Sequence, residues 1–391
     1  MIMVHFHRFL TAKATDFGLM IEWLEHEFGT LEARMPGREH LYQELRVEVA
    51  RAKQKLATLQ LILGFGVTPL LDRAHPLVHS IQLAMNVLTD HYLPALQRET
   101  DGDRFVRALI LDASKRFGID WIRDVVVRLD SAHATFLAFQ EIPLYFAPAR
   151  HMVSLADMAG LYHEMGHGVF NRFPEIRQRL AAVVKRYFQQ QLLAAGHLIP
   201  AKKERRDEGL RDGAAYWTPA RLNEVFCDVF GTFTCGPAHY VSFVDLALRS
   251  KEDPYEIDLA DAHPPLSARV CACFEALILP HRREDMVLLA SGAWGSHEAS
   301  LTKSNQYQVA CAQPLLNALV GESLSCIADY LSGAARYSET ALGEGALEAV
   351  RPHASMEALL NQSAQLLLLR PHAYAEWERQ ALREIRARFA A

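Results

Sequence analysis

Apolar residues recur at three- and four-residue spacing over Phe17–Phe28, Arg38–Leu63, Pro76–Gln97 and Asp103–Phe117. That spacing lines up one face of an α-helix. Glycine-containing breaks at 64–66 and at 102 separate these segments, and the same texture returns in Gln313–Tyr330, Met356–Leu369 and Ala373–Phe389. Between the two helical ends lie three β-prone runs, Val125–Leu129, Ala134–Phe139 and Ile142–Ala147. Pro143 cannot donate to a ladder, which predicts an edge position for the last run. A mainly α protein with a small β-sheet (α+β) follows. The expected division is an N-terminal helical region (1–120), a central core (121–280) and a C-terminal helical region (281–391), without a low-complexity linker or a repeat of fixed period.

The chemistry concentrates in His163-Glu164-Met165-Gly166-His167. In this HExxH pattern, histidines at i and i+4 share a helical face and can bind one zinc ion, while the intervening glutamate can reach a metal-bound water as general base. Ser154 is a possible N-cap with Asp157 three residues on, and an apolar run leads into His163, so a helical setting is predicted. Metzincin spacing would need glycine at 170 and histidine at 173. Phe170 and Phe173 stand there instead, which excludes that class.

A third ligand is sought further on. Asn223-Glu224-Val225-Phe226-Cys227-Asp228 lies in an apolar segment, Pro219–Leu248, that predicts a helix opening at Thr218-Pro219. Glu224 and Asp228 are four apart on one face. Glu224 can complete the metal site, and Asp228 can accept the free ring N–H of a ligating histidine. Glu204, Glu208, Cys227 and His239 compete with Glu224, although Glu204 and Glu208 sit in a charge-rich run, Lys202–Asp212, of solvated character. Gly231 lets the helix approach a neighbour closely.

With HEMGH followed by NEVFCD, the sequence resembles the gluzincins, the thermolysin-like zinc metallopeptidases. The resemblance implies a zincin-like catalytic core between the helical ends, one Zn2+ per chain on His163, His167 and Glu224, Glu164 as catalytic base, and Asp228 in support of a histidine. A peptide or protein is then the expected substrate. Asp261-Ala262-His263-Pro264-Pro265 followed by Arg269 is similar to the His-Pro turn of the CAAX-processing and heat-shock zinc peptidases. That similarity implies His263 as a catalytic oxyanion donor, with Arg269 orienting it or binding an acidic neighbour. Tyr145, Tyr162, Tyr216 and Tyr240 are further donor candidates among which the sequence does not choose.

Composition narrows the rest. The 391 residues are half apolar and carry a net charge of −5, enough to bury a large core and without a nucleic-acid footprint. The most apolar stretch, Leu56–Leu71, is interrupted by polar residues and too short to span a bilayer, so no membrane insertion is expected. Met1–Asp16 lacks a secretory pattern. All six cysteines lie in the second half, and no CxxC pair occurs. Reduced thiols and a cytoplasmic location are expected. The main expectation is therefore a cytoplasmic zinc metallopeptidase. The alternative is a helical interaction protein with a structural or degenerate metal site.

Overall fold

A computed structural model describes residues 2–35, 37–65, 68–129, 135–139, 142–146, 154–194, 200–331, 333–351 and 353–389. The chain divides into two compact units. The first comprises Met1–Leu111, Asp120–Leu129 and Leu137–Phe146, and the second Asp112–Ile119, Asp130–Phe136 and Ala147–Ala391.

In the first unit the predicted apolar stripes pack against one another. Helices α1 (Ile2–Arg34), α2 (Glu39–Phe65) and α3 (Thr68–Asn86) are in mutual contact. Leu10, Phe17, Ile21, Leu24, Phe28 and Leu31 from α1 meet Leu41, Leu45, Val49, Leu56, Leu59 and Leu63 from α2 in one buried cluster, at the spacing of a core-facing stripe. The expected Pro76–Gln97 helix is divided. α3 runs through Pro76, a π-helical turn occupies Val87–Tyr92, and α4 (Leu93–Gln97) follows. Pro94 supplies the reason, since it has no N–H for the preceding turn and its ring crowds the carbonyl there, which favours a locally widened helix. α5 (Asp101–Arg116) comes next.

Strands β1 (Val126–Arg128), β2 (Thr135–Phe139) and β3 (Ile142–Phe146) form a sheet in the order β1-β3-β2. The small sheet expected from the β-prone runs is present, but β3 is its central strand and not the predicted edge. β3 pairs in parallel with β1 through Val126↔Leu144, Val127↔Tyr145 and Arg128↔Phe146. Pro143 stands ahead of that register, so its missing N–H falls outside the stretch paired with β1. Ala134 and Ala147, the ends of two predicted runs, lie outside the described residues.

The second unit is helical in its described residues: α6 (Leu155–Met158), α7 (Gly160–Arg172), α8 (Pro174–Leu193), α9 (Pro200–Tyr216), α10 (Pro219–Cys235), α11 (Pro237–Arg249), α12 (Leu266–Ala276), α13 (Asp285–Glu298), α14 (Asn305–Ala310), α15 (Gln313–Tyr330), α16 (Met356–Leu369) and α17 (Pro371–Phe389), with short 3-10 turns between them. α10 is its axis. From Arg221 to Cys235 every residue except Asn223 and Phe233 is buried, and α7, α8, α11, α12, α15 and α16 all pack on it. A helix apolar on all sides requires such an interior place.

The single helix expected over Pro219–Leu248 is two. Gly236 adopts φ 73°, ψ −145°, backbone that favours glycine, and Pro237 starts α11. Asn361 staples the break. Its amide nitrogen donates to the Cys235 carbonyl at 2.6 Å and its oxygen accepts from the Ala238 N–H at 2.9 Å.

In the first unit Arg38 donates to both carboxylate oxygens of the buried Asp124, at 2.9 and 3.2 Å, and Arg107 donates to the same group at 2.6 Å. Burial would raise the Asp124 carboxyl, but these guanidinium hydrogen bonds outweigh it and hold the group below its ordinary value of 3.8. A depressed carboxyl contributes stability above the unfolded value and loses it as pH falls through the folded one. Asp124→Asn, which removes the charge shared by Arg38 and Arg107, is therefore expected to cost about 3 kcal/mol at neutral pH, read as faster hydrogen exchange in Glu39–Phe65. The difference from the parent should shrink below pH 3.8; a gap indifferent to pH would assign the loss to packing.

Candidate metal centre

The HEMGH segment is helical, as its sequence predicts, but α7 opens at Gly160. Ser154 stands ahead of the short α6, and Ala159 precedes α7 without a side-chain cap. His163 and His167 project from the same face with ring centroids 5.0 Å apart. Between them, Gly166 meets α10 at the closest point of the two helices. A Cβ at 166 would lie 2.9 Å from Cys227 Cα and 3.1 Å from its Sγ. Only a glycine permits that approach.

Across the contact, α10 presents Glu224, Cys227 and Asp228. Glu224 Oε2 is 3.4 Å from His163 Nε2, and Oε1 is 3.6 Å from His167 Nε2. Asp228, which is 0% exposed, lies 2.9 Å from His163 Nδ1. Arg269 on α12 donates to both Asp228 oxygens, at 2.8 and 2.9 Å, and approaches Glu224 Oε2 at 3.3 Å. Its guanidinium also sits over the Phe243 ring, 4.8 Å from the centroid. Arg269 thus binds an acidic neighbour.

Cys227 Sγ lies 3.3 Å from His167 Nδ1 and donates to Asn223 Oδ1 at 3.3 Å. His163, His167 and Cys227 each bring one donor atom within 4.8 Å of the others, a cluster able to hold a metal ion. Glu224 Oε2 is buried and accepts no hydrogen bond, although three cationic or imidazole nitrogens stand 3.3 to 3.6 Å away. A buried carboxylate oxygen that accepts no hydrogen bond is costly, and the imidazoles of His163 and His167 facing the two Glu224 oxygens make a nitrogen–oxygen donor set of the kind a divalent ion takes.

Charge in the cluster is balanced by proximity. Burial pushes the His163 imidazole down, but its contacts with Asp228 and Glu224 prevail and raise it to about 10. Burial likewise disfavours ionised Glu224, yet His163 and Arg269 bring it down to about 2. For Asp228, Arg269 and His163 overcome burial and depress the carboxyl strongly. His167 is lowered by burial and by repulsion from His163. Burial drives the Cys227 thiol well above its ordinary range.

Glu164 is half-buried on α7, with Oε2 3.9 Å from His167 Nε2. His263 is exposed at the Pro264-Pro265 entry to α12, and its Nε2 is 3.6 Å from Glu224 Oε2. Its Nδ1 and backbone N both meet Asp261 Oδ1, at 2.8 and 2.9 Å. Arg221 shapes this loop by donating to the carbonyls of Asp258, Leu259 and Asp261 at 2.6 to 3.0 Å. Glu204 and Glu208 are exposed on α9 and belong to no metal-competent group among the described residues. Tyr162 and Tyr240 are engaged elsewhere, with Glu357 at 2.6 Å and Ser291 at 2.8 Å.

His239, a competing ligand by sequence, lies outside the metal-competent group among the described residues. It is buried on α11, stacked on His163 with centroids 6.4 Å apart, near Thr232 Oγ1 at 3.1 Å, and lowered by burial to about 3. Gly231 makes room for it, since a Cβ there would lie 2.4 Å from His239 Nε2. The sequence signal was this glycine, which marked a close approach without naming its partner.

No protein-family model, no curated protein and no solved structure matches this chain. The gluzincin membership expected from two short motifs is corrected by that result, and so are the zinc metallopeptidase and hydrolase assignments that rested on it. No solved structure supports a zincin-like core for this chain, and among the described residues the group whose donor atoms all lie within 4.8 Å of one another is His163, His167 and Cys227. The catalytic roles expected of Glu164 and His263 lose their support with the peptidase assignment.

Gly166→Ala tests the helix contact on which the centre rests. Overpacking of this kind typically costs about 1–3 kcal/mol, so the variant should unfold at lower urea concentration. Gly160→Ala, where an added Cβ meets nothing within 4 Å, should not. Equal stability of the two variants would contradict the close approach of α7 to α10.

Proposed function

We propose that this chain is a helical metal-binding protein in which one zinc ion, held by His163, His167 and Glu224, ties α7 to α10 and stabilises the second unit. The observation that carries the reading is the buried convergence of both imidazoles on Glu224, whose Oε2 accepts no hydrogen bond. Mixed nitrogen and oxygen donors suit zinc. Asp228 and Arg269 act outside the ligand set. Asp228 stands 2.9 Å from His163 Nδ1 and Arg269 holds the Asp228 carboxylate, an arrangement that would orient His163 as a ligand.

When bound, the ion supplies a cross-link between two helices, and its binding free energy adds to folding free energy. A structural role agrees with the burial of His163 and of Glu224, the latter on the central helix of the unit. Among the described residues no helix is long and apolar enough to cross a membrane. The six cysteines are free, which supports a reducing compartment and hence the cytoplasm as the proposed location.

Metal analysis of the purified chain should find close to one zinc per molecule. Zinc at about 100 times its dissociation constant should add about 2.7 kcal/mol to the stability of the second unit, and chelation should remove it reversibly. His163→Ala and His167→Ala should lose the ion, while Asp228→Ala should weaken binding by about 10–100-fold. Glu164→Gln and His263→Ala should keep both the ion and the stability increment. Full zinc retention in both histidine variants would overturn the reading, as would a bound ion whose removal leaves the unfolding midpoint unchanged.

A further inference from the structure

The ring of His167 faces two different donors. Its Nε2 looks toward Glu224 Oε1 at 3.6 Å, whereas its Nδ1 lies 3.3 Å from Cys227 Sγ. Cys227 follows Glu224 by three residues on α10, so successive turns of one helix offer a carboxylate and a thiol to the same pair of histidines. Nitrogen and sulfur bound to one tetrahedral ion at about 2.0 and 2.3 Å stand roughly 3.5 Å apart. The His167–Cys227 separation is close to that span, and the whole His163, His167, Cys227 group lies within 4.8 Å. Gly166 gives the thiol its place, because a side chain there would crowd Sγ at 3.1 Å.

Building on the metal-centre reading above, we infer that the centre has two ligand sets sharing its histidines: a carboxylate set completed by Glu224 for zinc, and a thiolate set completed by Cys227 for thiophilic ions such as Cd2+ or Cu(I). Hardness separates them. Soft ions prefer the thiolate, whereas borderline zinc accepts a carboxylate or a thiolate. The Cys227 thiol is fully buried and donates to Asn223, and an ion that binds its sulfur displaces the thiol proton, which passes to solvent. Zinc and cadmium therefore compete for Nε2 of His163, whose Nδ1 faces Asp228, while His167 offers Nε2 to the carboxylate set and Nδ1 to the thiolate set.

The test uses the full chain, stripped of metal and titrated with zinc and then with cadmium. Cadmium should produce an ultraviolet sulfur-to-cadmium charge-transfer band at one equivalent and should displace zinc. In Cys227→Ser the band should vanish and cadmium affinity fall by more than about tenfold, with zinc affinity changed less. Glu224→Gln should do the reverse, keeping the band and losing zinc. Because a serine at 227 sits in the tightest helix contact, the cadmium NMR shift of the unsubstituted chain gives a readout that needs no variant. A shift in the range of nitrogen and oxygen ligation alone would overturn the inference, as would a band that persists in a folded Cys227→Ser chain. Zinc binding without sulfur ligation of cadmium would refute the second ligand set and leave the zinc centre standing. Failure of both ions to bind would refute both.

Discussion

One backbone contact governs the second unit, the approach of α7 to α10 at Gly166 and Cys227. A Cβ on 166 would fall 2.9 Å from Cys227 Cα. At that separation a side chain leaving either helix beside the contact reaches the other helix directly. His163 and His167 flank Gly166 by three residues and one residue, and Glu224 and Asp228 flank Cys227 in the same way. The donors therefore meet because two helices touch where one has no side chain. α10 can be fully interior because it is apolar on nearly every face, and its few buried charges lie on the side toward α7 and α12.

Those charges set the electrostatics. Glu224 and Asp228 are both held ionised, with Arg269 between them and His163 bridging their far sides. Two buried carboxylates against one guanidinium would leave a net charge in a dry interior, which is strongly unfavourable. A proton on His163 supplies the balance, held by Asp228 and Glu224, while burial and then repulsion from His163 lower the neighbouring His167. His239, neutral and stacked on the same ring, adds bulk without adding charge.

The peptidase expectation shows how far a short motif carries. HEMGH and NEVFCD make a helical face with the right residue types, and the structure brings those residues together. Family membership is a statement about the whole chain, and no family model, curated protein or solved structure extends the likeness beyond the two motifs. Convergence of metal-competent side chains is a local property of two helices. The reaction such a site would perform depends on much more of the fold.

The sequence by itself determined most of the helical architecture. Periodicity located Gln313–Tyr330 and Met356–Leu369 to the residue, because an apolar stripe of that length has few other ways to be buried. It also determined that His163 and His167 share a face, and that Glu224 and Asp228 do, since i and i+4 spacing is a property of the helix alone. Tertiary structure decided what those faces meet. The polar groups freed by the break at Gly236-Pro237 are met by Asn361, more than a hundred residues away. The central place of β3 depends on where its register with β1 begins. Arg269 turns to Asp228, Cys227 comes within reach of His167, and His239 fills the space at Gly231, because helices distant in sequence pack at specific separations. Periodicity assigns each residue to a side of its own helix, and only the packed structure determines which side chain stands opposite.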